Sequence, residues 1–237
     1  MRGLRPALWL AGVVVFAGTA GASAAPLAYI PNNLSNDVSV LDTTTNTVIA
    51  TVPVGTYPFG VASTPDGSGV YVTNFLDNTV SVIDTRSNSV VATVPVGFQP
   101  VGVAVSPDGS GVYVANNGDS TMSVIGTGSN SVAVTVPVGV RPAGVVVIPD
   151  GSLVYAANNG DHTVSVIDTG SNSVVAAVSV GQGPWGVAVT PDGSSVYVAN
   201  NGDNTVSVID RASSLVTATV PVERRPEAFG NFIALVP

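Results

Sequence analysis

The chain has 237 residues and no cysteine, which excludes disulfides and cysteine-ligated zinc as sources of stability. Seven arginines, no lysine and fifteen acids give a net charge of −8, a surface that repels phosphate backbones and disfavours nucleic acid as a partner. Only 9% of residues are charged while Val, Ala, Gly, Thr, Ser and Asn dominate, the composition of a β-rich, turn-rich globular chain rather than a helical or disordered one.

The N-terminus differs from everything after it. Arg2 and Arg5 precede an apolar run from Ala7 to Ala17 and then small residues ending "ASA" at Ala22, Ser23 and Ala24. This pattern predicts a secretory signal peptide over residues 1–24, and hence an exported chain, periplasmic or at the cell surface. The alternative is an N-terminal membrane anchor, but the apolar run is short for a span and no cysteine exists to be acylated. Residues 25–237 are then one domain with no transmembrane segment, carrying five arginines against fifteen acids.

From Leu27 onward the chain repeats at a fixed step of 42 residues, which marks a repeat architecture. "YVAN" stands at Tyr113 and Tyr197, with "YIPN" at Tyr29, "YVTN" at Tyr71 and "YAAN" at Tyr155. In step with it run "PDG" at Pro65, Pro107, Pro149 and Pro191, and Pro-x-Gly at Pro58, Pro100, Pro142 and Pro184. "SVID" or a variant recurs from Ser39, and "VPVG" or a variant from Val52. Short apolar segments bounded by turn residues predict four strands per unit, at 102–106, 112–115, 121–125 and 131–138 in the third. "PDGS" presets a tight turn between the first two strands, and the Asn-Gly of "NNGD" predicts a type I′ hairpin between the second and third. Proline within the fourth strand, at Pro53, Pro95, Pro137 and Pro221, places that strand on an edge, because proline has no N–H to donate to a neighbour. The fourth strand is therefore outermost and the Gly-, Ala- and Val-rich first strand innermost.

A lone four-stranded meander cannot bury two apolar faces, so its neighbours must stack against it. Radial stacking predicts an all-β propeller of five four-stranded antiparallel blades. A linear solenoid would need polar caps, and none is visible. The first unit begins at its second strand with "LAYIPN" from Leu27, and "PEAFGNFIALVP" at 226–237 occupies the place of a further first strand. Pairing the two closes the ring.

These residues carry a family likeness. The chain resembles the YVTN-type β-propeller repeat proteins, also described as YncE-like or surface-layer-type propellers. The likeness rests on "YVTN" at Tyr71, "NTVSVID" at Asn78 and Asn204, "VVATVPVG" at Val90 and "GVAVSPDGS" at Gly102, and covers residues 27–237. Relatives often have seven blades where five repeats are counted here, so an open arc completed by a second chain is the alternative to a closed ring. The resemblance implies an exported, non-enzymatic binding or surface protein and assigns no ligand; the chain is read as an interaction module whose partner is an unidentified protein or cell-envelope ligand. The alternatives are a lactonase-like or quinoprotein-associated enzyme, and a self-assembling surface-layer component.

In such a meander, the loops from fourth to first strand and from second to third strand share one face. The opposite face is monotonous, whereas this one varies between repeats, and recognition concentrates on variable loops of a rigid scaffold. The candidate binding residues are Tyr57, Phe59, Phe98, Gln99, Arg141, Gln182, Trp185, Arg224 and Arg225. The competing reading is that the aromatics cap the blade tops and the arginines are solvated. Two aspartate series keep the repeat: Asp77, Asp119, Asp161 and Asp203, and Asp42, Asp84, Asp168 and Asp210. Both are assigned to turns rather than to a metal. Catalytic residues, metal and cofactor are expected to be absent: His162 is the only histidine, with no nucleophile singled out beside it, and the innermost strands contain no carboxylate.

Overall fold

The structure is a computed structural model that describes residues 14–15, 26–228, 230 and 232–233. Apart from Val14–Val15, the predicted leader lies outside the described residues.

Five four-stranded antiparallel sheets follow one another along the chain, each in simple sequential order. Blade 1 contains Val14–Val15, Leu27–Asn32, Asp37–Asp42 and Thr47–Pro53, and blade 2 contains Pro58–Ser63, Gly69–Asn74, Thr79–Asp84 and Ser89–Pro95. Blade 3 is Pro100–Val105, Gly111–Asn116, Thr121–Gly126 and Ser131–Pro137. Blade 4 is Pro142–Val147, Leu153–Asn158, Thr163–Asp168 and Ser173–Ser179, and blade 5 is Pro184–Val189, Ser195–Asn200, Thr205–Asp210 and Leu215–Pro221. Strand limits differ from the sequence reading by a residue or two. Proline ends the outermost strand in blades 1, 2, 3 and 5, where a missing N–H breaks no inner ladder.

The strands sort by burial as their place in the blade requires. The third strand of blades 2 to 4 is buried at four successive positions, as a strand covered on both faces must be. The outermost strand of blades 2 and 3 instead alternates exposed and covered residues. Innermost strands of adjacent blades lie against one another at the axis. Here the glycine of each Pro-x-Gly is needed for close approach: a Cβ on Gly60, Gly102, Gly144 or Gly186 would stand 1.9–2.4 Å from a carbonyl oxygen of the next inner segment.

Apolar clusters weld successive blades. Tyr29, Val38, Val40 and Val52 of blade 1 meet Val61, Val70, Val72 and Ile83 of blade 2, and equivalent clusters join blades 2 and 3, 3 and 4, and 4 and 5. The recurring Tyr-x-x-Asn phrase serves both within and between blades. Tyr29 and Tyr71 donate their hydroxyls to Asn88 and Asn130 of the next blade at 2.9 and 3.1 Å. The buried asparagine pins its own hairpin, Asn116 Nδ2 donating to Thr121 Oγ1 and Ser123 Oγ, both at 2.9 Å. Asn74, Asn158 and Asn200 repeat the arrangement.

The hairpin type requires a correction. A type I′ turn has positive φ at both central residues. The loops between second and third strands instead place the left-handed residue fourth, at Asn36, Asn78, Ser120, His162 and Asn204, and Gly118, Gly160 and Gly202 do not have positive φ. In four of the five loops the N–H of that residue bonds back to the asparagine carbonyl four positions earlier, or to an equivalent one, as in His162 to Asn158 at 3.1 Å. The glycine is needed for space: Phe98 lies over Gly118, where a Cβ would be 2.3 Å from its ring.

At the ends, the inner edge of Leu27–Asn32 is paired by Val14–Val15. The segment expected to close the ring begins as foreseen, with Ala228 against Gly186 in the place of a next innermost strand. Residues 229, 231 and 234–237 lie outside the described residues, and among the described residues no strand pairing joins blade 5 to blade 1.

Candidate functional site

The two loop families of the variable face are stitched to each other. The loops at 56–57, 98–99 and 182–183, each running from an outermost to the next innermost strand, are held by side-chain hydrogen bonds from two blades. In the Thr56–Tyr57 loop, the Thr56 N–H donates to Asp77 Oδ2 at 2.6 Å and the Tyr57 N–H to Asn36 Oδ1 at 2.9 Å. Asp119, Asp161 and Asp203 likewise accept from Phe98, Val140 and Gln182, at 2.9–3.0 Å. Asn78 and Asn204 accept from Gln99 and Arg225, while His162 accepts through Nδ1 from Gly183 at 3.1 Å. The first aspartate series, assigned to its own hairpin turn, thus also holds the adjoining loop, while Asp119, Asp161 and Asp203 accept within their hairpins from the hydroxyls of Thr121, Thr163 and Thr205. In the second series, Asp42 and Asp84 accept N–H groups of the turns that follow them, from Thr45 and then Thr44 and from Ser87, while Asp168 accepts the Ser171 hydroxyl and then its N–H; these bonds hold the three carboxyls below the usual carboxylate range.

This stitching splits each loop pair into an outward and an inward member. Residues 57, 99, 141, 183 and 225 all have φ between 54° and 60°, which turns them out of the preceding strand's path. The preceding residues lie over the neighbouring hairpin, as Phe98, Val140 and Gln182 do over Gly118, Gly160 and Gly202.

On the inward side is a cleft of about 400 Å³ that gathers residues from blades 2 to 5. One wall is aromatic: Phe75 stands 5.9 Å from Tyr57 and 6.5 Å from Phe59, ring centre to centre, both tilted. Leu76 and Val101 extend that wall, and Trp185 faces the same space from blade 5. The polar members are Arg141, Asn117 and Asn159. Each asparagine spends its amide N–H on a backbone carbonyl, Asn117 on Pro142 at 3.1 Å and Asn159 on Pro184 at 3.4 Å. Arg141 is exposed and makes no ion pair among the described residues, where the one salt bridge is Arg211 to Asp150 at 2.6 Å. The arrangement can accept an apolar or aromatic group against the ring wall and an anionic group at the guanidinium.

Of the nine candidates, the cleft unites Tyr57, Phe59, Arg141 and Trp185. It leaves out Phe98, Gln99, Gln182, Arg224 and Arg225. Phe98 and Gln182 are outward members of their pairs, and Arg224 and Arg225 lie at the end of the blade series, beyond the cleft. Phe75 and Leu76 belong to the variable loops but were outside the candidate group. Asn117 and Asn159 were missed because "NNGD" reads as turn chemistry, although Phe75 occupies the same repeat position as both and marks it as variable. Among the described residues no three His, Cys, Asp or Glu side chains converge as a metal site would need.

Comparison with known proteins follows the same lines. Residues 1–124 match the YNCE-like beta-propeller family model, and residues 126–222 match the model of lactonase, 7-bladed beta-propeller. No curated protein matches the chain. Among solved structures, hydrazine synthase of Kuenenia stuttgartiensis is similar at TM-score 0.64 and 21% identity, over 84% of each chain. A functionally unknown protein from Desulfotomaculum acetoxidans is similar at TM-score 0.68 and 21% identity, over 82% of this chain and 68% of that one. At these identities the two structures speak for the fold alone. With its repeats, its five sheets and a family model spanning more than half its length, the chain belongs to the YNCE-like β-propeller family.

Proposed function

We propose that the chain is an exported binding module which holds a protein or envelope ligand in the cleft at the centre of its variable face. The observation that carries this reading is the meeting of an aromatic wall with Arg141, contributed by different blades, the Arg141 guanidinium making no ion pair among the described residues. Everything around the cleft is tied down by backbone hydrogen bonds, so the site is held ready and little ordering opposes binding. The leader-like residues 1–24 support export, and the acidic balance of the remainder supports a ligand other than nucleic acid. Immobilised chain should retain a ligand from an envelope fraction, the R141A/W185A double variant should not, and F98A should behave as the parent. Equal retention by the double variant would dismiss the cleft.

A second reading, a lactonase-type enzyme, is favoured by the family match over residues 126–222. Metal analysis of the purified protein combined with a panel of lactones separates the two. Bound divalent metal with turnover supports the enzyme, and binding without turnover supports the module.

A further inference from the structure

One repeat position supplies the cleft with a ring and two amides. Blade 2 places Phe75 there, and blades 3 and 4 place Asn117 and Asn159. A side-chain amide carries two N–H donors and a carbonyl acceptor. Asn117 spends one donor on the Pro142 carbonyl and Asn159 spends one on the Pro184 carbonyl. These bonds fix each amide against the innermost strand of the next blade, and its oxygen and second N–H make no other hydrogen bond among the described residues. Blade 5 ends the series: Asn201 donates instead to Glu227 Oε1 at 2.9 Å, outside the cleft.

An oxygen beside an N–H, both open, is the hydrogen-bonding complement of a peptide group. It stands here with the aromatic wall and with Arg141, which makes no ion pair among the described residues. None of the side chains lining the cleft is acidic, so nothing in it competes for the guanidinium.

Taking the cleft as the binding site, as proposed above, we infer that its ligand is the C-terminal end of a polypeptide whose last residue is aromatic or large and apolar. Such a residue carries a carboxylate, an apolar side chain and a backbone amide on a single Cα. One residue therefore meets Arg141, the ring wall and the asparagines together. An internal Asp or Glu brings an anion without an apolar group, and its chain would have to leave the cleft in two directions. A small aromatic acid meets the wall and Arg141 but leaves both amides unmatched. At about 400 Å³ the cleft has the size of a small-ligand site, which admits a chain end rather than a folded surface. Capture of a terminal carboxylate is a recurring mode of peptide recognition.

The test uses the full chain carrying W9F, in which Trp185 is the sole tryptophan. Its emission is titrated with three probes: an acetylated alanyl-alanyl-phenylalanine, the same tripeptide with its C-terminus amidated, and 3-phenylpropionate. The free-acid tripeptide should bind roughly tenfold or more tighter than the amidated one, and R141A should erase that difference. N117A/N159A should weaken the tripeptide by more than it weakens phenylpropionate. Equal affinity for the acid and the amidated peptide, or an equal loss of both acids in N117A/N159A, overturns the inference. Phenylpropionate binding as tightly as the tripeptide overturns the peptide class and leaves the cleft standing as a site for small acids. No response to any probe also overturns the inference, and retention of the envelope ligand by R141A/W185A then decides the cleft reading separately.

Discussion

Gly102 and Gly128 both lie in blade 3, and alanine should affect them in opposite ways. A Cβ on Gly102 would sit 2.0 Å from the Ala143 oxygen, whereas at Gly128 nothing lies within 4 Å. G102A must push two innermost strands apart and should cost about 1–3 kcal/mol in denaturant unfolding. G128A should be neutral or stabilise by up to about 1 kcal/mol by restricting the unfolded chain. Equal effects would contradict the close packing at the axis. The titrating groups act at the same scale. Bonds from Ser106 and then Ser110 hold the Asp108 carboxyl at about 2, and bonds from Thr190 and then Ser194 hold Asp192 at about 2. Both therefore favour the folded chain above pH ~4, an advantage lost as pH falls toward 2. Denaturation midpoints measured from pH 5 to pH 2 should fall, and D108N should flatten that fall. Burial, and then the Asp84 charge, push the Tyr29 phenol up to about 12, so its contribution is complete below pH ~10 and is lost as pH rises toward 12. Y29F should flatten the alkaline limb.

At the scale of the element, the turn chemistry was readable and its geometry was not. "PDGS" folds as expected, with Gly67 at φ 73° and Asp66 Oδ1 accepting from the Ser68 N–H. "NNGD" misled, because Asn-Gly signals a two-residue turn while these loops run to four residues and bond to the loop beside them, information that resides in the neighbouring blade. The same limit hid Asn117 and Asn159 from the candidate site. The hairpin asparagine was conspicuous by repetition, but its role appears only with the third strand in place. N116A removes two hydrogen bonds from a buried group and leaves Thr121 and Ser123 short of a donor. It should cost about 1–3 kcal/mol, and N116D should not rescue it, since a carboxylate cannot donate to both hydroxyls. Full rescue by N116D would contradict the assignment of the amide as donor.

For the whole molecule, the number of blades, their strand order and the face that carries variable loops could be counted from the 42-residue step. How far five blades turn about the axis could not, because that angle is set by contacts between innermost strands, which a repeat unit alone does not encode. For the same reason, the sequence named the ring of loops but not which loops share a cleft: Tyr57 and Trp185 are separated by three repeats and meet only through the curvature of the stack. That cleft is the centre of the proposed binding function. In a W9F background Trp185 is the sole tryptophan, so its emission reports on the site directly. Titration with the aromatic anion anilinonaphthalene sulfonate should change Trp185 emission saturably, and R141A should weaken the apparent affinity by roughly tenfold, the loss expected of one charge-assisted contact. An emission that does not respond, or an R141A titration that overlays the parent, would contradict it.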